Sequence, residues 1–200
     1  LELPHGARMA LTGPSGAGKT SVVNALLRFY PLAAGRVTLG GRNIDEYAAD
    51  DVRGAIAVAE QQPHIFNASL RENLRVAAPQ AGEEAMVTAL AAAQLHAFMA
   101  GLPEGLDTWL GEDGVRISGG EARRVAIARA LLAARPILIL DEPLEGLDAT
   151  TARALLSALA EATRGRSVLV ISHRLEGLDT LVDRHVCMCE GRVVSEQTDW

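Results

Sequence analysis

The sequence predicts an α/β fold, a parallel-sheet core interrupted by a helical block. Three observations carry this. Ile137-Leu-Ile-Leu140 and Val168-Leu-Val-Ile171 are unbroken apolar runs, as expected of parallel strands buried on both faces. A glycine-rich turn, Gly13 to Gly18, separates a short apolar run from a helix-periodic one. From about residue 63 to 134 the chain turns alanine- and leucine-rich, which favours helix.

In chain order, Arg8-Met-Ala-Leu-Thr12 predicts a strand halted by Gly13 and Pro14. Val22, Val23, Leu26 and Leu27 share one helical face and predict a helix ending near Pro31. Gly35 to Leu39 predicts a further strand with a turn at Gly40-Gly41, and Ile56 to Ala59 another. Met86 to Met99 and Glu121 to Ala134 predict helices within the inserted block. Thr151 to Thr163 predicts the helix between the two buried strands, and a hairpin-like stretch closes the chain. The expected division is one domain, with its core at about 1–62 and 135–200 and a helical subdomain at about 63–134.

Two hundred residues, 48% apolar and 22% charged, suit one globular domain. The formal charge of −6 argues against electrostatic binding of nucleic acid. There is no apolar run long enough to span a membrane, and the opening Leu-Glu-Leu-Pro-His lacks the charge and apolar core of a signal peptide. The missing initiator Met predicts a piece of a longer polypeptide. Cys187 and Cys189 are too few for a disulfide framework and read as two small buried hydrophobes in a strand, not as metal ligands. His5, His64, His96 and His185 read as surface or packing residues.

The chemistry begins at Gly13-Pro14-Ser15-Gly16-Ala17-Gly18-Lys19-Thr20, which fits G-x-x-x-x-G-K-[ST]. Glycines let successive backbone N–H groups, up to Ser21, turn inward as an anion-binding nest, and the helix that follows Gly18 adds its positive dipole end. Lys19 can reach the β- and γ-phosphates, and the Thr20 hydroxyl can ligate Mg²⁺. The pattern predicts binding of a nucleoside triphosphate. A second site follows at Asp141-Glu142, two acids at the end of an apolar strand. Asp141 there can join the Mg²⁺ shell, and Glu142 can act as general base toward an attacking water.

Ile117-Ser118-Gly119-Gly120-Glu121, followed by Ala-Arg-Arg-Val-Ala-Ile-Ala-Arg-Ala, resembles the signature motif and helix of ATP-binding cassette (ABC) ATPases. Ser118 is placed to cap that helix. The resemblance spans nearly the whole chain and implies a P-loop NTPase fold with a RecA-like parallel-sheet core and an α-helical subdomain carrying the signature. It implies ATP and Mg²⁺ as cofactors. It further implies that Gln61 is the Q-loop glutamine sensing Mg²⁺, Asp148 the D-loop aspartate, and His173 the switch histidine contacting the γ-phosphate. Two such domains meet head to tail in the family. Lys19, Thr20, Gln61, Asp141, Glu142 and His173 are then expected to act on the chain's own ATP, and Ser118, Gly119, Gly120, Glu121 and Asp148 on the partner's.

Phe66-Asn-Ala-Ser-Leu-Arg-Glu-Asn-Leu74 and Leu102-Pro-Glu-Gly-Leu-Asp-Thr-Trp109-Leu-Gly-Glu112 resemble exporter-type members. This implies contact with transmembrane domains through the Q-loop and the Glu112 region, at the cytoplasmic side of a bacterial inner membrane. Asp141-Glu-Pro-Leu-Glu-Gly-Leu-Asp-Ala-Thr-Thr151 with the Ser-Gly-Gly-Glu signature resembles the CydC-type subunit of the heterodimeric thiol exporter for cytochrome bd assembly. A different partner subunit is therefore expected. A homodimeric lipid, drug or peptide exporter is the alternative, as are a soluble cassette ATPase and a nucleotide-gated module without turnover. The chain departs from the family's usual Thr, Ser and Ala at Leu144, Glu145 and Gly146, and from its usual Leu at Ile117. The adenine-stacking aromatic is expected upstream of Leu1, and a further helix beyond Trp200.

Overall fold

The computed structural model describes residues 1–111 and 114–198. Among them run ten strands: β1 (Arg8–Thr12), β2 (Thr38–Leu39), β3 (Arg42–Asn43), β4 (Ile56–Ala59), β5 (Ala68–Ser69), β6 (Trp109–Leu110), β7 (Ile137–Asp141), β8 (Ser167–Ser172), β9 (Arg184–Cys189) and β10 (Arg192–Thr198). The α-helices are α1 (Lys19–Leu26), α2 (Ala49–Gly54), α3 (Leu70–Arg75), α4 (Glu83–Ala92), α5 (His96–Ala100), α6 (Gly119–Leu132) and α7 (Ala149–Ala162).

Six strands form the main sheet in the order β10-β9-β1-β8-β7-β4, parallel except where β10 returns antiparallel on β9. The unbroken apolar runs occupy its middle, and every residue of β8 is buried. Because side chains alternate across a strand, the sheet feeds two apolar clusters. Ala10, Leu138, Leu140, Val168 and Val170 join Val125, Leu155 and Leu159 of α6 and α7. Met9, Leu11, Ile139, Leu169 and Ile171 join Val23 and Leu27 at the α1 side.

Helices α3 to α6 lie between β4 and β7, as the alanine-rich texture predicts, together with the small antiparallel β5–β6 pair. Some expectations need correction. The helix expected over Met86 to Met99 is two, since Gln94 takes a left-handed φ of 59° and breaks it. The helix expected to end near Pro31 closes at Leu27, before a left-handed Arg28. Of Gly35 to Leu39 only Thr38–Leu39 pairs, with Arg42–Asn43 across the Gly40-Gly41 turn. The cysteines are not both buried: Cys187 is half-buried and Cys189 exposed, because β9 is covered near its end only by the exposed β10. His185 is buried at 8% exposure, its Nε2 lying 2.6 Å from Thr12 Oγ1.

Among the described residues no helix is long and apolar enough to cross a membrane.

Candidate active site

Register builds the site. Thr12 at the end of β1 pairs with Ser172 at the end of β8, Asp141 of β7 with Ile171, and Leu140 with Ala59 of β4. Residues following four neighbouring strands therefore emerge along one edge: Gly13 onward after β1, His173 after β8, Glu142 after β7, and Glu60 and Gln61 after β4. The carboxyl edge of a parallel sheet is where such folds bind ligands.

In the phosphate loop, Gly13 has φ 145°, and a Cβ there would lie 2.1 Å from the Met188 carbonyl oxygen, so only glycine passes β9. Gly18, at φ 99°, begins α1 without a side-chain cap, leaving the first-turn N–H groups of Lys19, Thr20 and Ser21 to meet an anion. Ala17 is buried, its N–H donating to the Pro14 carbonyl at 3.1 Å while its carbonyl accepts from Gly191 N–H at 3.0 Å. The β9–β10 turn thus braces the loop. Pro14, Ser15, Gly16, Thr20 and Ser21 are exposed. Lys19 Nζ folds back to donate to the carbonyls of Gly13 at 2.7 Å and Pro14 at 3.0 Å. An ammonium over uncapped N–H groups is the chemistry a triphosphate requires.

Glu142 is the strained residue of the site. Its φ is 49°, its side chain is nearly buried, and its N–H donates to the Ile171 carbonyl at 2.9 Å. Glu142 Oε2 lies 2.9 Å from His173 Nδ1 and accepts from Ser172 Oγ at 3.4 Å. The acidity of Asp141 is weakened. Burial raises its pKa first, the charges of Glu142, Glu60 and Glu145 raise it further, and Lys19 opposes them. Such an excess of carboxylate favours a cation. Among the described residues no three His, Cys, Asp or Glu side chains cluster as a closed metal site. The Thr20 hydroxyl, Gln61 amide and Asp141 carboxylate offer hard oxygen donors for phosphate and water to complete, which suits Mg²⁺.

The signature turn is a second, separate feature. Ser118 is the N-cap of α6: its Oγ accepts from Glu121 N–H at 3.2 Å, and Glu121 Oε2 accepts from Ser118 N–H at 2.7 Å. Ser118 and Gly119 are exposed, and Gly120 and Glu121 partly so. Asp148 caps α7 by accepting from the N–H groups of Thr150 and Thr151 at 2.9 and 3.0 Å and from Thr151 Oγ1 at 2.6 Å. Those bonds hold its pKa below the usual carboxylate range, the Thr151 hydroxyl most of all. The Glu112 region expected to touch a membrane domain lies outside the described residues.

Motif reading missed three contributors. Ser172 steers Glu142 from the buried strand end. Arg123 and Glu145 meet in an ion pair at 3.1 Å and both engage Gln61. Glu145 stood out in the sequence only as a departure; its partner, on a helix of another segment, carried no signal.

A phosphate loop, a carboxylate pair and a strand-end histidine on one sheet edge define a P-loop ATPase. The chain matches the ABC transporter family over residues 1–145, and it belongs to that family as an ATPase domain. It is 40% identical over 199 residues to the "ATP-dependent lipid A-core flippase" of Photobacterium profundum, covering 99% of this chain and 34% of that protein. It is 41% identical over 195 residues to the flippase of the same name from Mannheimia succiniciproducens, covering 95% of this chain and 33% of that protein. A bacterial Atm1-family ABC exporter solved with ATP bound superposes with a TM-score of 0.92 at 34% identity, covering 99% of this chain and 35% of that one. The chain thus spans about a third of the length of these relatives. Relatives named as flippases match the lipid-exporter alternative and give no support to the CydC-type subunit.

Proposed function

We propose that this chain is the ATP-binding and hydrolysing domain of an exporter, working with a second cassette and with transmembrane domains at the cytoplasmic face of a bacterial inner membrane. The Glu142–His173 pair beside the phosphate loop is the observation that carries this reading. The loop N–H groups and Lys19 hold the β- and γ-phosphates, and Thr20, Gln61 and Asp141 would hold Mg²⁺, which would neutralise charge on the phosphates. Glu142 takes the proton of the attacking water at its carboxylate, kept nearly dry by burial and steered by Ser172 and His173. With Nδ1 turned to Glu142, Nε2 is the ring nitrogen of His173 left for the γ-phosphate, to which it donates when it also carries a hydrogen. The exposed Ser118 and Gly119, with Gly120 and Asp148, serve the partner's nucleotide.

For the transported molecule we propose an amphipathic lipid, on the strength of the flippase relatives. A thiol is the second reading and rests only on the resemblance of the 141–151 stretch and the Ser-Gly-Gly-Glu signature. Specificity resides in transmembrane domains, so the deciding measurement uses the full-length protein in proteoliposomes. Lys19→Ala and Glu142→Gln should each lower ATP turnover by about two orders of magnitude or more. Stimulation of wild-type turnover by lipid A-type lipid supports the first substrate reading, and stimulation by cysteine or glutathione alone the second. Wild-type protein that binds ATP without turnover would overturn the ATPase reading.

A further inference from the structure

We propose that Glu145 is a positioning residue for Gln61, and that Arg123 makes that position depend on α6, the helix that carries the signature turn. This rests on the reading of Gln61 as a Mg²⁺ ligand. Gln61 Nε2 donates to Glu145 Oε2 at 3.0 Å. A carboxylate has no hydrogen to give, so the amide must turn its NH₂ toward Glu145 and its oxygen away. Among the described residues that oxygen accepts no hydrogen bond, which leaves it to a cation. A glutamine at a strand end otherwise rotates freely about its last torsion, and nitrogen or oxygen can face the metal. Glu145 removes that ambiguity before the ion arrives, as outer partners of metal ligands do.

One guanidinium then joins three segments. Arg123 donates from Nε to the Gln61 carbonyl at 2.9 Å and from Nη1 to the Glu145 carbonyl at 2.9 Å, and its Nη2 pairs with Glu145 Oε2 at 3.1 Å. The planar fork suits this multiple grip, which a lysine cannot reproduce. Its positive charge also offsets Glu145 in a site already crowded by Glu60, Asp141 and Glu142. Glu145 therefore serves as the acceptor for Gln61 and does not compete for the cation itself. Arg123 sits one helical turn beyond Gly119, the first residue of α6. A rotation of α6 when the signature turn meets a partner's nucleotide is transmitted through Arg123 to the backbone and amide of Gln61. The half-site facing the partner is thereby linked to the metal ligand of the chain's own half-site. An isolated ion pair with side chains 21% and 39% exposed would contribute little to stability, so the expected loss lies in metal binding.

The test titrates Mn²⁺ by electron paramagnetic resonance into full-length protein in nanodiscs with a saturating non-hydrolysable ATP analogue. Glu145→Ala should weaken Mn²⁺ about tenfold, the lower end for a partner of a metal ligand. Glu145→Gln keeps an acceptor for Gln61 but adds an NH₂ that can face it instead, so it should recover part of the loss, which a merely structural role does not predict. In a Gln61→Ala background, Glu145→Ala should add nothing. An unchanged Mn²⁺ affinity in Glu145→Ala, or an equal loss in the Gln61→Ala background, overturns the proposal. Nucleotide-dependent Mn²⁺ binding that survives intact in Gln61→Ala removes the underlying reading of Gln61 as well. Thermal unfolding without nucleotide identifies variants that fail to fold, and Arg123→Met then reads the same link from the helix side with a smaller loss.

Discussion

Glu142 Oε2 stands 2.9 Å from His173 Nδ1, joining residues that follow two adjacent parallel strands. Since an ionised carboxylate only accepts, the histidine ring presents its Nδ1 hydrogen to Glu142, and Nε2 donates to a γ-phosphate oxygen only when the ring carries its second hydrogen as well. Glu142→Gln should leave ATP binding intact and lower turnover by about 10²–10⁴-fold, the worth of a positioned general base. His173→Ala should lower turnover with a smaller effect on binding. Phosphate release and nucleotide binding measured side by side on the full-length protein separate the two effects.

Glu121 turns its carboxylate onto the Ser118 N–H and hydroxyl, at 2.7 Å each. That bond places a negative charge at the turn proposed to meet the partner's phosphates. Glu121→Gln preserves the cap and removes the charge. ATP-driven association of the two cassettes should tighten by roughly threefold, the scale of one partly exposed charge contact. Association measured by cross-linking or light scattering against ATP concentration checks this, and weaker association would contradict it.

Asn73 is wholly buried and ties the segment after β5 to α6. Its Nδ2 donates to the carbonyls of Phe66, Ala68 and Ser69, and its Oδ1 accepts from Phe66 N–H and Arg129 Nη2. Asn73→Ala leaves these groups unpaired and should destabilise the fold by about 3 kcal/mol. Urea unfolding of the protein with and without the substitution measures it.

His185 is buried against Thr12 directly below the phosphate loop, and burial lowers its pKa from the ordinary 6.5. The unfolded chain then takes up a proton at a higher pH than the folded one. The stability from neutral His185 is fully present above pH 6.5 and is lost as pH falls through the lower, folded value. The thermal midpoint should decline on that acid limb, and His185→Gln should flatten it. A decline of equal slope in both proteins would assign the effect to other groups.

The parallel strands Ile137–Asp141 and Ser167–Ser172 were legible because burial on both faces demands unbroken apolar runs. The phosphate loop was legible for a similar reason: a nest next to Met188 admits glycine at position 13 and little else. Gln94 hid the break between α4 and α5, because a left-handed residue within an alanine-rich run leaves the helical pattern almost unchanged. Cys189 looked like a core residue by composition, and only the placement of its strand beside the exposed β10 leaves it open.

By itself the sequence determined the phosphate loop, the strand-end acids, the capped signature turn and the order of the elements, since each is written in residues close together along the chain. Tertiary structure alone decided that Gln61, Arg123 and Glu145 share one hydrogen-bonded junction and that Ser172 and His173 close on Glu142. Those contacts join residues far apart in sequence. They exist because parallel register sets the strand ends side by side, a relation that local propensity and periodicity do not encode.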